Sequence, residues 1–72
     1  MTFADEFENY DSCNADSLQI GDLVLINDEY IEINQIEDVG LTINLFGYCY
    51  NEDEEMQYIL NPNDLIGLYR II

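Results

Sequence analysis

Residues 41–50 read Leu41-Thr42-Ile43-Asn44-Leu45-Phe46-Gly47-Tyr48-Cys49-Tyr50, and this stretch decides the fold class. The odd positions, Leu41, Ile43, Leu45, Gly47 and Cys49, make one apolar or small face. The even positions carry Thr42, Asn44, Phe46, Tyr48 and Tyr50. A period of two places alternate side chains on opposite sides of a strand, with one side turned to a core.

On either side of this strand the same grammar repeats. Glu37-Asp38-Val39-Gly40 precedes it as a turn, with Gly40 free to take a positive φ. Before that, residues 30–37 form a strand in which Ile31, Ile33 and Ile36 break strict alternation, so a bulge is expected near Asn34-Gln35. Asn27-Asp28-Glu29 turns the chain out of an earlier strand over residues 18–26, entered through a bend at Gly21-Asp22. Downstream, residues 51–55 form an acidic hairpin tip and 56–60 a fourth strand. Asn61-Pro62-Asn63-Asp64 makes a tight or 3₁₀ turn, and residues 65–72 form a last strand.

Upstream of residue 18 the pattern changes. Phe3, Phe7 and Tyr10 fall at i, i+4 and i+7, one face of a helix. Thr2 can cap it, with Asp5 or Glu6 completing a capping box and acids in the first turns where the dipole favours them. The expectation is one domain over residues 1–72: a helix over 1–12, a polar linker over 13–17, and five strands over 18–72. Turns at this spacing, and too few strands for a two-sheet sandwich, predict a mainly β, strongly bent small barrel capped by the helix.

Composition narrows what such a domain can do. Sixteen Asp and Glu residues face one base, Arg70, giving a net charge of −15 on 72 residues. That surface repels phosphate backbones and anionic membranes and attracts basic surfaces. The longest apolar run, Leu23-Val24-Leu25-Ile26, is strand-sized and far short of the roughly 18 residues of a membrane span. Cys13 and Cys49 have no C-x-x-C spacing, and two thiols without a histidine fall short of a zinc set. With no disulfide or metal to help so small a core, oligomerisation is the expected source of added stability.

The segment Leu18-Gln19-Ile20-Gly21-Asp22-Leu23-Val24-Leu25, a long bent middle pair, a Pro-containing turn and a final apolar strand together resemble the SH3-like small barrels. With a leading helix, the layout is most similar to Sm-like proteins. The acidic, Lys-free composition also resembles uncharacterised proteins of phage or marine metagenomic origin. The resemblance implies ring assembly by edge-strand pairing, while two idle thiols and no signal peptide lead to the expectation of a cytoplasmic location, that of a host cell if the chain is phage-encoded. The Sm-like family's nucleic-acid contacts use Asp/Asn and Arg/Lys-Gly positions in two loops. This chain has no Arg-Gly or Lys-Gly pair, so that activity is not carried over.

Three kinds of chemistry bear on these residues. Asp28, Glu29, Glu52, Asp53, Glu54 and Glu55 sit in alternate turns and should share one end of the sheet, with Glu37, Asp38 and Asp64 at the other. They are a candidate docking face or plain solvated loop tips; the spacing of a calcium loop is absent. Phe46, Tyr48 and Tyr50, with Tyr30, Tyr58 and Tyr69, could stack bases, but core or intersubunit packing fits a chain with one Arg better. No histidine activates either cysteine and no Gly-rich phosphate loop is present, so no catalytic residue and no cofactor are expected.

Three functions compete on these grounds, the third being direct RNA or DNA binding, which the charge disfavours. The first is a non-enzymatic, self-assembling barrel module, possible as a ring, whose candidate oligomer edge is Met56, Tyr58, Leu65, Ile66, Leu68, Tyr69 and Ile71. Strands 56–60 and 65–72 carry few charges there. The second is an acidic DNA mimic that binds a basic nucleic-acid-handling protein. A mimic should spread its carboxylates along a face, whereas these cluster in turns, which tilts the reading toward assembly.

Overall fold

The computed structural model describes residues 7–71. Six strands follow one another: β1 (Phe7–Asn14), β2 (Leu23–Ile26), β3 (Glu29–Asp38), β4 (Ile43–Cys49), β5 (Glu54–Leu60) and β6 (Leu65–Ile71), with a 3₁₀ turn at Ala15–Ser17 after β1. They form one antiparallel sheet in the order β1-β6-β2-β3-β4-β5.

The alternation holds over Ile43–Cys49, but Leu41, expected on the same apolar face, lies before β4 and is exposed. Ile43, Leu45, Gly47 and Cys49 are buried and the residues between them are half-buried. Val24, Ile31, Ile33, Ile43, Leu45 and Cys49 are almost wholly shut from solvent. A single sheet can close off its own inner face this completely only by curling around it, as in a small barrel-like fold. The expected bulge supplies part of the curl: the β3–β4 register shifts between Ile33 and Gln35. Gly47 supplies another part. A Cβ there would lie 2.5 Å from Ile31 Cγ2 and 2.6 Å from the Glu32 carbonyl oxygen, so only glycine lets β3 and β4 approach this closely.

The turns follow their sequences. Asn27 and Asp28 both take positive φ (52° and 65°) between the paired Ile26 and Glu29, as a two-residue hairpin turn of type I′ requires. Gly40 takes the expected positive φ of 92°. Asp64 donates its amide to the Asn61 carbonyl at 3.0 Å, closing the expected tight turn.

The N-terminal expectation is corrected. Residues 7–14 are a strand, not the second half of a helix over 1–12, so the sheet has six strands rather than five; Thr2 and Phe3 lie outside the described residues. The reason is non-local. β2 is short and its ladder with β6 runs only from Gly67 to Tyr69, which leaves one whole side of β6 bare. β1 satisfies those backbone groups, pairing from Phe7↔Ile71 to Asn14↔Leu65. Tyr10 sits at an irregularity between Asn9 and Asp11, so a spacing that suggested a helix is absorbed by a bulge. The chain then docks at the end of the sheet, where the Ala15 and Asp16 amides donate to the Asp64 and Pro62 carbonyls, and Ala15 and Leu18 join the core. Residues 13–17 are thus the end of β1 and a packed turn. The expected strand over 18–26 is trimmed to β2, behind a bend in which Gly21 takes φ 96°.

Candidate functional site

The two acidic tips meet. The β2–β3 turn and the loop between β4 and β5 lie side by side because Tyr50 donates its amide to the Tyr30 carbonyl at 2.9 Å and Tyr30 donates its own to Asn51 Oδ1 at 2.8 Å. Glu29 and Glu52 are thereby brought into contact. A hydrogen bond to Glu29 and then its negative charge, with lesser contributions from desolvation and Glu54, push the Glu52 carboxyl above its usual range. The Tyr58 hydroxyl, inside the curl, donates to Glu29 Oε1 at 3.3 Å, and the Tyr48 hydroxyl donates to Asp53 Oδ1. Of the six expected docking residues, Asp28, Glu29, Glu52, Asp53 and Glu54 gather at this tip. Glu55 stands apart on β5, with both carboxylate oxygens held at 2.9 Å by Asn34 Nδ2.

Other acids serve the turns. Asp22 Oδ2 accepts from the Gln19 amide at 2.9 Å, Asp64 Oδ2 from Asn61 at 3.0 Å and Asp38 Oδ1 from Gly40 at 2.9 Å, each stabilising a local reversal. Among the described residues no charged side chain is buried, and no three of His, Cys, Asp and Glu are placed to hold a metal ion. Burial and then Asp22, Asp11 and Asp16 raise the Cys13 thiol, which keeps it protonated at neutral pH, while Cys49 is fully buried.

The expected oligomer edge is also corrected. Of its seven residues, Leu65, Ile66, Leu68, Tyr69 and Ile71 belong to β6, which lies inside the sheet between β1 and β2. Only Met56 and Tyr58 are on an edge strand, β5, and Tyr58 is buried in the core. The other edge is β1. Both edges carry carboxylates, Glu8 and Asp11 on one and Glu54 and Glu55 on the other.

The aromatic residues separate by face. Tyr58 packs with the aliphatic core, whereas Phe7, Tyr30, Tyr48, Tyr50 and Tyr69 form a chain of rings outside it. Phe7 stacks on Tyr30 at 4.4 Å and meets Tyr50 at 5.7 Å; Tyr30 meets Tyr69 edge-on at 5.2 Å, and Tyr50 meets Tyr48 at 5.0 Å. Burial raises the Tyr30 and Tyr50 phenols, with neighbouring Tyr69 and Glu32 adding to each. Among the described residues Phe46 has no ring contact.

Beside these rings an open groove of about 360 Å³ is lined by Tyr10, Tyr50, Tyr69, Asp22, Glu32 and Arg70 among others. Arg70 donates from Nε to Glu8 Oε2 at 2.9 Å and its guanidinium carbon lies 5.7 Å from the Tyr10 ring centre. The sequence reading missed Tyr10 and Glu32 here. The spacing of Tyr10 from Phe3 and Phe7 points to a helix, and Glu32 is brought to the groove only by the β2–β3 register. The available signal was the chain's one base, Arg70, two residues from its last position.

Compared with known protein families, curated proteins and solved structures, the chain matches none. What fold and site define is a class: a small all-β domain built on one curled antiparallel sheet, with an acidic tip and an aromatic groove on its outside. Among the described residues no helix is long and apolar enough to cross a membrane.

Proposed function

We propose that this domain is a non-enzymatic acidic docking module whose β2–β3 and β4–β5 tips engage a basic protein surface, in its narrower form the basic groove of a nucleic-acid-handling protein. The observation that carries the reading is that the Tyr50–Tyr30 and Tyr30–Asn51 hydrogen bonds hold the two acidic turns side by side, with Glu29 next to Glu52. Like charges pressed together destabilise the isolated protein and are relieved when a cationic partner arrives, so the strain is converted into affinity on binding. Electrostatic steering by the net charge of −15 would speed the encounter and make it salt-sensitive.

The test uses poly-L-lysine as a defined basic probe, titrated against the full chain at low and high salt. A Glu29→Gln/Glu52→Gln protein is compared with Asp16→Asn/Glu37→Gln, which has the same net charge but loses it elsewhere. The tip pair should lose about tenfold in affinity and the control pair much less. Equal losses would mean that affinity follows net charge alone, and the reading would fall.

A second reading keeps the Sm-like resemblance and its assembly habit. β5 and β1 end the strand order among the described residues, and β5 of one copy laid on β1 of the next would build a ring or a filament. The carboxylates on both edges oppose this at low salt. Light scattering that finds a discrete multiple of 8.4 kDa, tightening as salt rises, would favour assembly; a monomer at both salts would remove it.

A further inference from the structure

The groove beside the aromatic chain carries a more specific assignment. It joins three tyrosines, Tyr10, Tyr50 and Tyr69, to two carboxylates, Asp22 and Glu32. Rings supply negative π-faces and carboxylates supply full charge, the pairing by which proteins hold organic cations. The molecule contains a demonstration of the mode: the Arg70 guanidinium lies over the Tyr10 ring, with Glu8 answering its charge. Arg70 is largely exposed, so it sits on the rim and leaves Asp22 and Glu32 facing the groove without a side-chain cation.

The groove is also continuous with the acidic tip. Tyr50 lines it and touches Tyr48, which bonds to Asp53 in the tip, and Glu32 pairs with Tyr48 across the β3–β4 ladder. A basic surface seated on the tip would bring its neighbouring side chains to the groove. We propose that this groove receives the ammonium group of a lysine side chain presented by that basic partner, seated among Tyr10, Tyr50 and Tyr69 and paired with Glu32. The assignment rests on the docking reading and names the residue type that the partner must offer.

The experiment follows backbone amide chemical shifts of the full chain during titration with an acetylated, amidated Gly-Lys-Gly peptide. Its neutral counterpart, with norleucine in place of lysine, has the same length and apolar reach. The lysine peptide should shift Leu23, Glu32, Tyr50 and Tyr69, and the norleucine peptide should not. Glu32→Gln should weaken binding by about threefold, and Tyr10→Leu by a similar factor. Arg70→Gln should strengthen it, because a competing cation leaves and Glu8 is freed. Opposite signs for two exposed substitutions on adjoining strands separate a binding role from a structural one.

Equal shifts from both peptides, or weaker binding by Arg70→Gln, would overturn the assignment. If poly-L-lysine binds and the tip pair weakens it while the groove amides stay still, the groove assignment falls alone. If poly-L-lysine does not bind at low salt, the docking reading falls and takes the groove with it.

Discussion

The two faces of this sheet solve the same problem with different chemistry. Inside the curl, Val24, Ile31, Ile33, Ile43 and Leu45 make a closed aliphatic core with no charged residue. Outside, Phe7 and Tyr30 are buried almost as well, but by rings rather than branched chains, and carboxylates border the cluster. The inner face holds β2 to β6 together. The outer cluster fastens β1, which commits only Phe7 fully to burial over its eight residues. The core is therefore compulsory, and the aromatic cluster is a clasp for an added strand.

The hardest blow to that distinction is a cavity in the core. Leu45→Ala removes a side chain at zero exposure in the middle of β4, where neighbours on β3 and β5 cannot collapse into the gap. A loss of about 3 kcal/mol is expected in denaturant unfolding, from a domain of a length that holds roughly 5. All amides should lose protection together. If only β4 and β5 loosened while the rest stayed protected, the inner face would not be one cooperative unit.

Phe7→Ala tests the clasp. It removes the ring stacked on Tyr30 and touching Tyr50, at the start of an edge strand. The expected cost is about 2 kcal/mol, less than a sealed core site because the edge can partly close over the space. Hydrogen exchange should show β1 and its partner amides on β6 opening first, with β3 and β4 protected. A loss as large and as uniform as that of Leu45→Ala would make the two faces equal partners in one core.

The same division explains what could be read without the structure. The inner face is written locally: alternation in β4, the broken alternation of Ile31, Ile33 and Ile36 that marks the bulge, and the turn expected at Asn27-Asp28-Glu29, which the structure tightens to two residues with Glu29 in β3, each depend on adjacent residues. The clasp is written across the whole chain. Phe7 and Tyr10 have a helical spacing, and only the need of β6 for a second partner, some sixty residues away in Phe7↔Ile71, makes them a strand. Placing β1 there also turned β6 from an expected edge into an interior strand and brought Tyr10 to the groove. The acidic tip was legible because hairpin connectivity alone puts alternate turns at one end. Glu55 departed from it because Asn34, the bulge residue, captures its carboxylate.

The smallest expected effect belongs wholly to the outside of the molecule and sharpens the contrast through charge. The folded state raises the Glu52 pKa, so it holds that proton more tightly than the unfolded chain does. A group shifted in this direction contributes stability at low pH that is lost as pH rises through its folded value. The Glu29–Glu52 contact is thus repulsive at neutral pH, and protonation makes it a hydrogen bond. Glu52→Gln fixes the uncharged form, with an amide that can donate to Glu29. The melting temperature of the unsubstituted protein should rise as pH falls from 7 into the upper carboxylate range. The variant should melt slightly higher at pH 7 and show a flatter pH slope, since one titrating contributor is gone. Leu45→Ala should lower the whole curve and leave its slope intact, because no charge lies near it in the core. A Glu52→Gln protein with an unchanged slope would assign the pH response to the net charge as a whole, and the tip would lose its claim to be a strained site.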